Sequence, residues 1–84
     1  MTPEQWALRK ANIGRNIRAR RDDVSQEKLA DKAGIASLTV SRLERGVHGT
    51  SVATICKLAD AMGVPPHYLL LNIDRSEPVA DPAP

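Results

Sequence analysis

Two short helical patterns joined by a glycine turn constrain the fold of this chain more than any other feature. The first pattern begins after Ser25, a candidate N-cap, and ends at Gly34, where a left-handed C-cap would lie. Only two residues separate Gly34 from the second pattern, residues 37–45, which Gly46 ends. Two helices joined by so short a turn must cross at a steep angle.

A longer helix is predicted before this pair. Thr2 is a candidate N-cap, and Gln5 is placed to complete a capping box. The apolar spacing then allows a helix to about Arg20. Gly14 is a weak point within it that costs about 1 kcal/mol relative to alanine. The pattern is also compatible with a helix that begins again after Asn12.

Two more helices are predicted after the pair. Thr50 or Ser51 can cap a fourth helix that Gly63 stops, and a short fifth helix covers residues 67–73. No strand alternation is present, so the fold class is all-α, a compact bundle of about five short helices. Residues 1–73 form the predicted domain. Residues 74–84 hold three prolines and almost nothing apolar, which predicts a disordered, proline-rich acidic tail.

Length and charge limit the classes of function. A chain of 84 residues supports one small domain, which excludes a multidomain enzyme. The net charge of +2 hides an asymmetry: residues 1–45 hold ten basic and six acidic side chains (10 − 6 = +4), and the remainder carries 2 − 4 = −2. A polyanionic partner is therefore expected to meet the first half of the chain.

No residue pattern indicates catalysis, a metal site or a cofactor. Cys56 is the single cysteine, so no internal disulfide can form, and a buried, inert thiol is expected because it lies in the apolar stripe of the fourth helix. His48 and His67 lack partners at a suggestive spacing. No signal peptide or membrane span is indicated. A non-enzymatic, cytoplasmic protein is the expectation.

The second helix of the pair has an unusual outward face. On a helical wheel, Ala36, Val40 and Leu43 point inward. The side chains that point outward are Ser37, Leu38, Ser41, Arg42 and Arg45. A solvated face would more usually carry Glu and Lys, without a leucine at its centre. Hydroxyls, guanidiniums and an apolar side chain match the groups that the major groove of DNA displays.

These segments resemble the lambda-repressor-like (Cro and repressor type) family. Residues 25–46 are similar to its helix-turn-helix signature, and residues 13–18 and 55–70 resemble its first and last helices. The sequence departs from the family pattern in three places. The stretch between Ile17 and Gln26 is about two residues shorter than usual, Ala36 replaces the Ser or Thr that often caps the recognition helix, and Thr50 replaces a frequent proline.

The resemblance implies roles for individual residues. Ser37, Leu38 and Arg42 would read bases with Ser41 beside them, and Gln26 would hold a phosphate. Thr39, Arg45 and the loop around His48 are candidate phosphate contacts. The short spacing leaves open which of Arg18, Arg20 and Arg21 pairs with Glu44. The first helix also carries a basic run, whose members are expected to divide about evenly between phosphate contact and solvation: Arg9, Lys10, Arg15, Arg18, Arg20 and Arg21.

The resulting prediction is a sequence-specific DNA-binding transcriptional regulator, of repressor or controller type, without cofactor and associated with the nucleoid. One recognition helix reads only about four or five base pairs, so a homodimer on a palindromic operator is expected. Apolar residues near the C-terminal end form the candidate dimer interface: Val64, Tyr68, Leu69, Leu70 and Ile73. Two alternatives stay open, a DNA-binding antitoxin and a protein-interaction module that needs a partner protein.

Overall fold

The computed structural model describes residues 1–71, which form four α-helices and one 3-10 helix. The elements are α1 (Pro3–Arg21), α2 (Gln26–Ala33), α3 (Ser37–Glu44), α4 (Val52–Met62) and the 3-10 helix (Pro66–Leu70). The all-α prediction is therefore confirmed for this part of the chain. Ile73 and the predicted tail, residues 74–84, lie outside the described residues.

Local capping signals place the helix ends. The capping box forms, because the Thr2 hydroxyl accepts from the Gln5 N–H at 3.1 Å and the Gln5 side chain accepts from the Thr2 N–H at 2.9 Å. Ser25 caps α2, and Ser51 rather than Thr50 caps α4. Gly34 ends α2 in the left-handed conformation at φ 75°, which glycine adopts without steric cost.

The core is aliphatic and draws on all five elements. Its largest fully buried side chains are Ile17, Leu29, Val40, Leu58 and Leu69. α1 packs against α3 and the 3-10 helix, while α2 packs against α3 and α4. The paired helices α2 and α3 are thus held between α1 and α4, and α3 keeps one side free for solvent.

Gly14 lies inside α1, which runs without interruption from Pro3 to Arg21. A Cβ atom at Gly14 would collide with the carbonyl oxygen of Leu43 and would lie 2.8 Å from that of Glu44. The alternative of a helix that restarts after Asn12 is therefore wrong. Glycine is needed here because the backbone of α1 touches the C-terminal end of α3.

Three details of the predicted elements differ from the structure. Ala36 is exposed rather than inward, because it is the N-cap of α3 with an extended backbone (φ −74°, ψ 142°) to which a helical wheel does not apply. It makes no side-chain cap, and Ile35 packs against the core instead. α3 ends at Glu44, one residue early. The fifth helix is a 3-10 helix that already ends at Leu70.

The buried side chain of Asn16 accounts for the end of the 3-10 helix at Leu70. Asn16 is 3% exposed, and its Nδ2 donates to the carbonyl oxygens of Leu69 at 2.8 Å and Leu71 at 2.6 Å. These bonds hold the C-terminal segment against α1. Both carbonyl groups thus receive a hydrogen bond without a further helical turn. The chain therefore leaves the 3-10 helix at Leu71 in an extended conformation.

Candidate nucleic-acid interface

The candidate interface centres on the outer side of α3. Val40 and Leu43 hold the inner side of this helix in the core, at 0% and 2% exposure. On the outer side, Ser37, Leu38, Arg42 and Arg45 are exposed and Ser41 is half-buried. Thr39, the other α3 residue expected to meet DNA, is half-buried about 40° from Leu43, at the edge of the inner side. The structure therefore places five of these six residues on the eight-residue helix α3, and Arg45 directly after it as the C-cap.

A carboxylate joins the ends of three helices beside this face. Glu44, at the end of α3, accepts from Arg21 Nε at 2.6 Å and Arg21 Nη2 at 2.9 Å, and from Gln26 Nε2 at 2.9 Å. Arg21 closes α1 and Gln26 opens α2. The question of which arginine pairs with Glu44 is thus settled in favour of Arg21.

This pair is largely shielded from water. The side chains of Arg21 and Glu44 are 17% and 5% exposed. Hydrogen bonding to Glu44 raises the pKa of the Arg21 guanidinium above its ordinary value, against the opposing effect of desolvation. The carboxylate is therefore neutralised by a bidentate partner, which reduces its repulsion of any phosphate that approaches α3.

Arg21 also stabilises the short turn between α1 and α2. Its Nη1 donates to the carbonyl oxygen of Val24 at 2.9 Å, and the Val24 N–H donates to the Arg21 carbonyl at 2.9 Å. Asp22, the C-cap of α1, has a φ of 54° and a ψ of −119°, a combination outside the left-handed region that aspartate favours. The hydrogen bonds of Arg21 on either side of it hold the backbone in this conformation. The shortened spacing seen in the sequence is thus accommodated locally, and α2 still begins at Gln26.

The loop after α3 rests on the N-terminal half of α1. Gly46, at φ 72°, faces Ala11, and a Cβ atom at Gly49 would lie 2.7 Å from the Trp6 ring. Lys10 Nζ lies 5.5 Å from the centre of the same ring. This support was not foreseen from the sequence. It fixes the path of the loop that contains His48, an exposed candidate phosphate contact.

Comparison with known proteins identifies the family. Residues 17–69 match the family model described as helix-turn-helix. The chain belongs to the helix-turn-helix family. The match covers α2 and α3 entirely and extends from the second half of α1 into the 3-10 helix. The resemblance to lambda-repressor-like regulators is thereby confirmed, together with its assignment to DNA-binding transcription regulators.

Three relatives of this helix-turn-helix protein are informative. The chain is 39% identical to control protein C.BamHI from Bacillus amyloliquefaciens over 56 residues, which is 67% of this chain and 69% of that protein. A hypothetical transcription factor, NHTF from Neisseria, has a crystal structure with a TM-score of 0.72 at 35% identity, covering 76% of each chain. The restriction-modification controller protein C.AhdI from Aeromonas hydrophila gives a TM-score of 0.69 at 34% identity, covering 71% of this chain and 94% of that one.

The expected dimer residues of this helix-turn-helix chain separate into two groups. Leu69 is 0% exposed and belongs to the core, so it offers no surface to a partner. Leu70 is 60% exposed, and Val64 and Tyr68 are half-buried. Leu71, which belongs to the same apolar segment, is 42% exposed beside Leu70. The correction for Leu69 follows from the 3-10 geometry, which turns adjacent leucines to different sides of the segment.

Several side chains of the basic run of α1 contact other residues of the protein. The Arg20 guanidinium lies 4.8 Å from the centre of the Tyr68 ring, and Arg15 donates to the Asn12 side chain at 3.0 Å. With Arg21 bound to Glu44, at least three members of the run stabilise the fold. Arg9 and Arg18 are exposed, and their role as phosphate contacts stays a prediction.

The sequence also led to expectations about a metal site, the single cysteine and membrane-spanning helices, and these features can be located within residues 1–71. No group of three His, Cys, Asp or Glu side chains in this range is placed to hold a metal ion. Cys56 is half-buried rather than fully buried. It lies at the edge of the α4 stripe, whose buried members are Ile55, Leu58 and Ala59. No helix within the described range is long and apolar enough to cross a membrane.

Proposed function

We propose that this protein is a sequence-specific transcriptional regulator, of repressor or controller type, that inserts α3 into the major groove of double-stranded DNA. The observation that carries the proposal is the outer side of α3. Guanidinium, hydroxyl and apolar groups face solvent there, while Val40 and Leu43 fix the helix to the core. Similarity to a control protein and to a restriction-modification controller protein supports the same role.

Arg42 is the proposed principal base contact. Its side chain is exposed one helical turn beyond Leu38, in the last turn of α3. A guanidinium can donate two hydrogen bonds to O6 and N7 of guanine. Ser37 and Ser41 flank it with hydroxyl groups that bond bases or phosphates.

Gln26 is the proposed phosphate contact at the start of α2. One N–H of its amide is held by Glu44 Oε1 at 2.9 Å, which fixes the orientation of the amide group. The second amide N–H and the positive end of the α2 dipole would meet a phosphate oxygen. Thr39 and Arg45 are proposed as further contacts to the phosphate backbone of the DNA.

A homodimer on a palindromic operator completes the proposal. An eight-residue helix is about 12 Å long, which limits its reading to about four or five base pairs. Two copies related by a two-fold axis would double this length. Leu70 and Leu71 are exposed apolar neighbours beside Val64 and Tyr68. We propose these four, with Ile73, as the surface that a second copy covers.

Selection of duplexes from a random DNA library tests the proposal. The purified protein would be incubated with the library at about 0.15 M salt, since lower salt rewards non-specific binding, and the bound duplexes sequenced. The expected result is a palindrome with half-sites about one helical turn apart. Arg42→Ala is the matched variant, expected to lose preference at one position of each half-site. A folded protein that enriches no motif would contradict the proposal and favour the antitoxin or protein-interaction reading.

A further inference from the structure

Leu38 is the apolar side chain on the outer side of α3. It is 52% exposed, whereas the other large apolar residues of the same helix, Val40 and Leu43, are almost fully buried. Successive residues rotate by 100° around a helix, so Leu38 lies about 160° from Val40 and 140° from Leu43. Leu38 therefore cannot join the core unless α3 unwinds.

Exposed leucines are common and need no explanation when they stand alone. Leu38 differs because its neighbours on the same side of α3 are hydrogen-bonding groups, with Ser37 before it and Arg42 one turn beyond. The major groove displays hydrogen-bond donors and acceptors on every base pair, and its apolar group is the C5 methyl of thymine. A leucine placed among base-reading groups has that methyl as its chemical match.

We propose that Leu38 determines specificity by recognising the C5 methyl group of a thymine within about two base pairs of the guanine that Arg42 reads. The inference rests on the proposed insertion of α3 into the major groove. Residues four apart on a helix are separated by about 6 Å along its axis, and base pairs on one strand by about 3.4 Å. The thymine therefore lies within about two base pairs of the guanine.

Uracil substitution tests this inference, because uracil pairs like thymine and lacks only the methyl group. After the operator has been selected, selection with Arg42→Ala identifies the guanine by the position whose preference is lost. Duplexes with uracil at each thymine within two base pairs of it, in both half-sites, are then titrated by fluorescence anisotropy. Loss of one buried methyl group corresponds to about a fourfold loss of affinity, or about 15-fold for two half-sites.

The protein variants assign the effect to Leu38. Leu38→Ala is expected to bind thymine and uracil duplexes within about twofold of each other, while Leu38→Met keeps most of the discrimination. Leu8→Ala removes another exposed leucine, 62% exposed on α1, and should discriminate as the parent does. Since Leu38 and Leu8 both face solvent, both alanine variants should fold normally, as circular dichroism would verify.

The outcomes separate this inference from the proposed function. Enrichment of a palindrome that Arg42→Ala relaxes, with uracil tolerated at every tested thymine, would overturn the inference and leave the regulator intact. The absence of any thymine within two base pairs of that guanine would do the same. If Leu38→Ala still binds thymine duplexes more tightly than uracil duplexes, another residue recognises the methyl group and the inference is wrong. Failure to enrich any motif would refute the proposed function itself.

Discussion

Replacement of Gly14 by alanine tests the contact between α1 and α3. General helix propensity predicts that this change raises the free energy of unfolding, whereas the structure predicts that it lowers it. In an ordinary helix interior, glycine to alanine stabilises by about 1 kcal/mol. Here an added Cβ would lie 2.8 Å from the carbonyl oxygen of Glu44 and closer still to that of Leu43. Both obstacles are main-chain atoms of α3, so no side-chain rotation can relieve the contact and the two helices must separate.

The expected magnitude follows from these opposing effects. Overpacking of a well-packed contact typically costs about 1 to 3 kcal/mol, and the rigid obstacle places Gly14→Ala at the upper end. Subtraction of the propensity gain leaves a net loss of about 2 kcal/mol. In a domain of this size that lowers Tm by roughly 8 to 16 °C.

Thermal and urea unfolding followed by circular dichroism would measure this loss. Ala19→Gly, at an exposed site of the same helix, is the matched control and should lose only the propensity difference of about 1 kcal/mol. The close approach of α1 to α3 would be refuted by a Gly14→Ala protein that melts at or above the parent temperature.

Three further substitutions have defined outcomes. Glu44→Gln should destabilise the fold by about 2 kcal/mol in urea unfolding, because Arg21 keeps its charge in a shielded site without a carboxylate; a change below about 0.5 kcal/mol would contradict this. Leu70→Asp should give a monomer by sedimentation with weak operator binding, while Leu8→Asp, also at an exposed leucine, stays dimeric; a dimeric Leu70→Asp would remove the proposed interface. Asn16→Ala should lose about 2 kcal/mol by leaving two carbonyl groups of the C-terminal segment without their donor, and unchanged stability would argue against that anchor.

Features encoded within a few residues were predictable from the sequence. The Thr2 capping box, the Ser25 cap and the left-handed Gly34 each depend on groups no more than four residues apart. The division of α3 into an inner side with Val40 and Leu43 and an outer polar side also followed from its periodicity. Local hydrogen bonding and the 3.6-residue repeat carry this information directly.

Features that depend on tertiary contact were not predictable. An arginine partner for Glu44 was expected, but the sequence did not single out Arg21, which lies 23 residues away. Asn16 bonds a carbonyl 53 residues away, and nothing in the sequence indicated that contact. The sequence shows Gly14 only as a weak helix former, because its steric role exists only once α3 has docked. Cys56 is half-buried and Leu69 is fully buried. Both exposures depend on the orientation in which each helix packs against its neighbours, which the sequence does not specify.

The arrangement around α3 separates the residues that position the recognition helix from those proposed to read DNA. Glu44 binds Arg21 and Gln26, so the C-terminal end of α3 is fixed to both α1 and α2 by shielded hydrogen bonds. Leu38 and Arg42 are exposed and take no part in that network or in the core. Substitutions at these two positions should therefore change which sequence is bound with little effect on the free energy of unfolding. Substitutions at Glu44 should weaken binding to every sequence, because they release the helix that carries the contacts.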